Sequence, residues 1–260
     1  MGTTMDTIST MITATTMGIT MPTEVVSGGG PAQGDDLALL GLLQLVSPAL
    51  PIGAFAFSQG LESAFELGWV SDEASLGEWL EGVLEDGLSR CELPLLARLQ
   101  SAWAASDGEA VVEWDRWLAA NRETAELAAE DSRLGASLSR LLGSLDLLPN
   151  GPAGASPAMP VGVGYVTAFA WTADVRGVPV RQTLLGFAWA WLENQLAVAC
   201  KALPLGHTSA QRLVERLRPV LVTAVDEALA LADDELGPVL PGLALASAHH
   251  ETQYSRLFRS

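Results

Sequence analysis

The sequence predicts an all-α protein, folded as a single helical domain of about nine to ten helices. Apolar residues recur at helical spacing, as in Trp79, Leu80, Val83 and Leu84. Helix start signals precede several of these runs. Alternating runs rich in β-branched and aromatic residues are scarce, and the chain has only two tyrosines. No strand is needed to explain the pattern.

The predicted helices follow one another with short breaks. Three begin at pairs with capping-box spacing, in which a Ser or Thr and a Glu or Gln three residues later satisfy free N–H groups. The pairs are Ser75 with Glu78, Ser106 with Glu109, and Thr208 with Gln211. In chain order, the predicted helices cover residues 36–46, 58–68, 73–88, 92–105, 109–146 with an internal break left open, 161–174, 179–202, 208–232 and 242–258.

Two stretches separate these helices from each other and from the N-terminus. Residues 1–34 have no basic residue and no sustained apolar run, so we predict a disordered extension rather than a secretory signal or a spanning helix. Residues 149–160 contain four prolines and two glycines and predict an irregular loop. A domain boundary there is the alternative, but the charge-poor helices over 161–206 need a partner surface on more than one side. We therefore favour one domain over residues 35–260.

Charge and cysteine content limit the class of protein. The chain has 31 acidic and 14 basic residues and a net charge of −17, which repels phosphate backbones and anionic lipid. We therefore expect neither nucleic acid nor membrane as a partner. Cys91 and Cys200 form no CxxC motif and are too few for a disulfide scaffold. A reducing cytoplasm fits, although a single disulfide is left open.

The sequence predicts no catalytic residue and no tightly bound cofactor. The sole lysine, Lys201, is not in a P-loop, and no nucleophile elbow or HExxH motif occurs. His249, His250 and Glu251 form the one conceivable metal cluster, but adjacent residues on a helix point about 100° apart. We favour solvated or hydrogen-bonding histidines. A transient metal contact of His249 and His250, completed by a second chain, is left open.

Acidic residues recur at i, i+3 and i+4 spacing in two places. Solvated helix faces have this pattern, and we favour that interpretation over an acidic lining that attracts a cation or a basic partner. The two runs are Glu81, Glu85 and Asp86, and Glu123, Glu126 and Glu130.

Two further segments are not explained by core formation. Residues 47–62 place large apolar groups in a turn, either as a loop folded on the core or as a docking surface. In the tail, residues 249–260, four side chains at i, i+4, i+7 and i+8 predict one helical stripe. These are His250, Tyr254, Leu257 and Phe258. The tail either lies on its own domain or is ordered by a partner's groove.

Four collinear motifs make the chain similar to the urease accessory protein UreF family over roughly residues 37–260. They are LLQLVSPALPIGAFAFSQGLESAFELGWV, NRETAELAAEDSRLGASLSRLL, CKALPLGHTSAQ and HETQYSRLFRS. The resemblance implies an all-α, two-fold homodimer that is not itself an enzyme. It also implies three partners, a UreD-type (UreH) accessory protein, a UreG-type nickel GTPase and urease apoprotein. Their assembly supports GTP-dependent nickel insertion, and nickel is at most a transient ligand of this chain.

Individual residues carry the resemblance further. Arg256 matches a family arginine needed to build the complex that recruits the GTPase. Phe55 falls where many members have a partner-facing Tyr, and it lacks the hydroxyl. Arg122 to Thr124 match the family's RET segment, and the resemblance implies a structural or interfacial role for them. We predict these partner-binding residues: Ile52, Phe55, Phe57, Gln59, Glu62, His250, Tyr254, Arg256, Leu257 and Phe258.

Two other functions are weighed against a scaffold and chaperone for urease maturation. The protein could activate the partner GTPase by supplying Arg256 or Arg259 to its site. It could also be a small helical metalloenzyme that uses His249, His250 and Glu251. In that case, removing the tail would abolish a reaction rather than an assembly.

Overall fold

The computed structural model describes residues 31–148 and 162–259. This part of the chain contains ten α-helices and no strand, so the all-α prediction is confirmed. The helices are α1 (Pro31–Leu45), α2 (Leu61–Glu66), α3 (Glu73–Val83), α4 (Glu92–Ala104), α5 (Gly108–Ala120), α6 (Ala125–Ser144), α7 (Tyr165–Val175), α8 (Val180–Ala202), α9 (His207–Ala230) and α10 (Pro241–Glu251). A π-helical turn, Leu84–Leu88, continues α3, and 3-10 turns cover Ala54–Ala56 and Asp233–Glu235.

Helix α7 lies at the centre of the protein. Every residue from Val166 to Ala173 is buried, as expected of a helix that is apolar on all sides. It packs against α4 and α6, and α4 packs in turn against α5, α8 and α9. The core is therefore continuous between the helices before and after the predicted loop at 149–160, which itself lies outside the described residues.

The long helix predicted over 109–146 is two helices. α5 ends at Ala120, and α6 begins at Ala125, where the Thr124 side chain accepts a hydrogen bond from the backbone N–H of Leu127. The internal break that the sequence left open within 109–146 therefore lies just before α6, where Thr124 caps the new helix.

The three predicted capping pairs are wrong in detail. In α3 the N-cap is Asp72, and Ser75 is its reciprocal partner at N3. In α5 the N-cap is Asp107, and α9 follows Gly206, which has no side chain to cap it. Ser, Thr and Asp are all good N-cap residues, so residue spacing alone did not show which of several neighbouring residues caps each helix.

Two boundaries at the ends of the domain also differ from the prediction. α1 begins at Pro31, upstream of the predicted helix start at residue 36, and residues 1–30 lie outside the described part. α10 ends at Glu251, not near 258, so His250, Tyr254, Leu257 and Phe258 do not share a helical stripe. No helix among the described residues is long and apolar enough to span a bilayer.

Candidate functional site

The C-terminal tail is held on the protein by four side chains that we call the tail seat: Glu62, Glu126, His250 and Arg256. Glu62 lies in the first turn of α2, and Glu126 in the first turn of α6. His250 lies in the last turn of α10. Carboxylates are favoured at helix N-termini because the unpaired N–H groups there carry partial positive charge.

Close approach of α10 to α2 brings the seat together. Gly60, the N-cap of α2, has φ +79°, which favours glycine. A Cβ at this position would lie 3.1 Å from the backbone nitrogen of Ser247 in α10. Beside it, the Ser247 hydroxyl lies 2.7 Å from that of Thr124, which ties α10 to the start of α6.

Glu62 receives the tail backbone. Its carboxylate accepts hydrogen bonds from the N–H groups of Leu257 at 2.6 Å and Phe258 at 3.0 Å. The side chain is buried, so these charge-assisted bonds form away from competing water.

His250 is fully buried between the two seat carboxylates. Its Nδ1 lies 2.9 Å from Oε2 of Glu126, and its Nε2 lies 3.3 Å from Oε2 of Glu62. A neutral imidazole can donate to only one of them, whereas an imidazolium can donate to both. The imidazolium therefore satisfies both carboxylates at once.

Arg256 connects the tail to α6. Its guanidinium donates to Oε1 of Glu126 at 2.8 Å and to the carbonyl oxygens of Glu251 and Gln253. Arg256 thereby places a cation against the Glu126 carboxylate in a largely buried place, which limits the desolvation cost of burying that carboxylate.

The end of the tail lies on the loop between α1 and α2, residues 46–60, which we call the Phe55 loop. The backbone N–H of Arg259 donates to the carbonyl of Ala56 at 2.6 Å, beside an isolated parallel bridge between Phe57 and Arg259. Phe258 is buried, and Nζ of Lys201 lies 4.6 Å from its ring centroid.

The ten predicted partner-binding residues fall into three groups that differ in how exposed their side chains are. Tyr254 and Leu257 are exposed, at 105% and 57%, and Arg256 is partly exposed. Phe55 and Gln59 are half-buried. The other five are buried and act within the chain: Ile52, Phe57, Glu62, His250 and Phe258. The structure therefore brings the Phe55 loop and the tail together, but it exposes only part of each.

The two predicted metal-contacting histidines point apart. His249 is exposed, while both ring nitrogens of His250 face seat carboxylates. Across residues 31–148 and 162–259, no three His, Cys, Asp or Glu side chains are grouped so as to hold a metal ion.

The solvated-face interpretation is wrong for two acids of α6. Glu126 and Glu130 are buried, and Glu126 belongs to the tail seat. A signal in the sequence could have shown this for Glu130, because it falls between Leu127 and Leu134 on the apolar stripe of α6. For Glu126 we find no such signal.

A second buried cluster surrounds Arg122 of the RET segment. Its guanidinium pairs with the carboxylates of Glu92 and, at 3.0 Å, Asp131. Burial raises the pKa of Asp131, and Arg122 opposes that effect. Arg122 therefore joins α4 to α6 inside the chain, which is a structural role.

Glu130 lies beside this cluster on a cavity of about 120 Å³. Its Oε1 accepts a hydrogen bond from Nε2 of Gln59 at 2.7 Å, and its Oε2 has no hydrogen-bond partner in the described part of the chain. Burial raises the pKa of Glu130 to about 7, although the Gln59 bond acts in the opposite direction. The same cavity is lined by Phe55 of the Phe55 loop and by Trp191 of α8.

Comparison with known proteins identifies the family. The UreF family model matches residues 70–218. The urease accessory protein UreF of Marinobacter nauticus is 73% identical over 227 residues, covering 87% of this chain and 96% of that protein. The UreF of Chromohalobacter salexigens is 70% identical over 240 residues, covering 92% and 100%. The UreF of Hahella chejuensis is 46% identical over 224 residues, covering 86% and 99%. The chain belongs to the urease accessory protein UreF family.

Proposed function

We propose that this chain is a scaffold and chaperone for urease maturation. It binds a UreD-type (UreH) accessory protein through its tail and Phe55 loop. Together with a UreG-type GTPase, the assembly supports GTP-dependent nickel insertion into urease apoprotein. Hydrolysis and nickel loading then belong to the partners, and this chain contributes binding surfaces without a catalytic site.

The observation that supports this proposal is the way the seat presents the tail. Arg256, His250 and Glu62 hold the tail backbone in place, yet Tyr254 and Leu257 point into solvent. Leu245 of α10 and Val239 before it are also exposed, at 63% and 67%. Exposed apolar groups on a fixed backbone bind with little loss of conformational entropy, which suits a docking surface.

The test separates docking from folding. Leu257→Ser removes an exposed apolar group from the tail, and Leu145→Ser removes a comparably exposed one at the end of α6. Each variant is mixed with the UreD-type and UreG-type proteins and sized by light-scattering chromatography. We expect Leu257→Ser to lose the complex and Leu145→Ser to keep it. Equal assembly of both variants would contradict docking through the tail.

The same mixture tests activation of the GTPase. Arg256 is bonded to Glu126 and to its own tail, whereas Arg259 is exposed. An activator would supply a free guanidinium to the GTPase, so Arg259→Ala would lower stimulated GTP hydrolysis with the complex intact. If the chain is instead a scaffold, a variant that changes stimulated GTP hydrolysis should change assembly of the complex as well.

Nickel is cargo of the assembly in this proposal. His249 is the exposed histidine of the pair and can meet a metal ion carried by a partner. Nickel titration of the assembled complex, comparing the wild type with His249→Ala, measures that contact. Unchanged nickel affinity would show that this side chain takes no part.

We also propose that two copies of the chain associate through α1. Leu37, Leu39, Leu40 and Leu43 of this helix are 64%, 49%, 61% and 54% exposed. Beside them, α1, α8 and α9 enclose a groove of about 720 Å³, so one face carries both an apolar ridge and a groove. A two-fold contact can bury both at once.

Charge supports a second copy as the occupant of this face. Two chains of net charge −17 repel each other and can meet only where charge is sparse. Residues 37–45 of α1 carry no charged side chain. Leu40→Asp should therefore give a monomer in light scattering, while Leu145→Asp keeps the wild-type mass. A monomeric wild type, or a dimeric Leu40→Asp, would contradict this interface.

A further inference from the structure

The Gln59 side chain is bonded inward, to three other side chains of the protein. Its Nε2 donates to Glu130 of α6, and its Oε1 accepts hydrogen bonds from Nε1 of Trp191 at 2.8 Å and Nε2 of Gln195 at 3.2 Å. Its backbone has φ +53°, a left-handed conformation that is unfavourable for a residue with a side chain. Three inward hydrogen bonds thus hold the end of the Phe55 loop in a strained conformation.

The loop held in this way is the surface that carries the tail. Asn194 of α8 donates to the carbonyl of Phe57 at 3.2 Å, and the carbonyl of Ala56 accepts from the tail at Arg259. Moving Gln59 would therefore move Phe55 and the end of the tail together.

Among the residues that the structure describes, Glu130 is the one ionisable group bonded to the Gln59 side chain. It is 4% exposed, and within residues 31–148 and 162–259 its Oε2, beside the cavity, has no hydrogen-bond partner. Arg122, the nearby cation, is already paired with two other carboxylates. Five groups among the described residues face Glu130. Three are charged or acidic: Arg122 from the link between α5 and α6, Glu92 from α4 and Asp131 from α6. The other two are Tyr165 from α7 and the neutral Gln59 from the loop.

We propose that Gln59 is a positioning residue for the Phe55 loop, and that the loop opens more readily when Glu130 loses its proton. The first part assigns Gln59 an internal role instead of a partner contact. The consequence for partner docking rests on the proposed function, whereas the loop equilibrium itself does not.

The direction follows from desolvation. A buried carboxylate with one neutral donor and one unpaired oxygen is costly, so the closed loop favours the protonated form. Opening the loop lets water reach Glu130 and favours the carboxylate. Deprotonation strengthens the single bond from Gln59, but recovering full hydration outweighs one hydrogen bond. Raising the pH therefore shifts the loop toward its open form.

The size of the shift follows from linkage. With the pKa of Glu130 near 7 in the closed loop and near its ordinary value of 4.5 in the open one, the open-to-closed ratio rises about tenfold between pH 6 and pH 8. The N–H groups of Ala56, Phe57 and Leu61 report on it, because each donates within the loop or at its end.

The test is amide hydrogen exchange of the free chain at pH 6 and pH 8, corrected for intrinsic exchange rates. In the wild type, we expect protection of these three amides to fall about tenfold. Glu130→Gln, a neutral isostere, should abolish the pH dependence, and the exposed Glu85→Gln should keep it. Gln59→Leu should lower protection at both pH values.

Two results would overturn the inference. One is a wild-type loop whose protection does not change between pH 6 and pH 8, which needs no variant to observe. The other is a Glu130→Gln protein with the wild-type pH profile. Because the free chain is used, neither result depends on the partners, and failure of partner docking would be seen separately in the assembly experiment.

Discussion

Replacing Glu62 by Gln should release the tail without unfolding the domain. The carboxylate accepts N–H bonds from Leu257 and Phe258, and a carboxamide offers only one accepting oxygen in place of two. One buried N–H then loses its partner, at a cost of about 1–3 kcal/mol, and the other bond loses its charge assistance, about 1 kcal/mol more. The tail's opening equilibrium should therefore rise by about 30- to 900-fold.

Trypsin cleavage after Arg256 measures this opening, because the protease needs the tail in an extended, detached form. When the tail recloses faster than it is cut, the cleavage rate follows the open population. Glu251→Gln is the matched control, since it makes the same replacement at an exposed position on α10. Equal cleavage rates for Glu62→Gln and the control would refute the role assigned to Glu62.

Three further outcomes are expected in urea unfolding. The folded state binds the Glu130 proton more tightly than the unfolded chain, so the free energy of unfolding falls as the pH rises from about 4.5 to 7. Comparing pH 5 with pH 8, Glu130→Gln should remove up to about 3 kcal/mol of this loss. Gly60→Ala should cost about 1–3 kcal/mol because of its positive φ, whereas Gly82→Ala should stabilise by about 0.5–1 kcal/mol. Arg122→Met should cost about 3–5 kcal/mol by leaving two carboxylates unpaired. Unchanged midpoints would contradict each assignment.

Secondary structure was predictable because helices are stabilised locally. Each backbone hydrogen bond of a helix closes within four residues, so apolar spacing alone placed α4 and α8 close to their observed bounds. Boundaries set by a single side chain, such as the N-cap Thr124, were not placed. Several good capping residues stood near each start, and only tertiary contacts selected among them.

The candidate site was predictable as two segments but not as an arrangement. Sequence reasoning singled out the Phe55 loop and the tail because each has large apolar residues where a loop or a terminus usually has small polar ones. It did not assign Glu126 or Glu130 to the interior, since acids at i, i+4 usually face water. Their burial depends on His250, Arg256 and Gln59, which other segments supply.

By itself, the sequence determined that the chain is helical, that it has a charge-poor core and that its two unusual segments need an apolar surface. These properties follow from composition and short-range spacing. Only the tertiary structure decided where the last helix ends, which acids are buried and which tail residues remain exposed. The reason is distance along the chain: the N–H of Leu257 meets the carboxylate of Glu62, 195 residues away, and no local pattern encodes that contact.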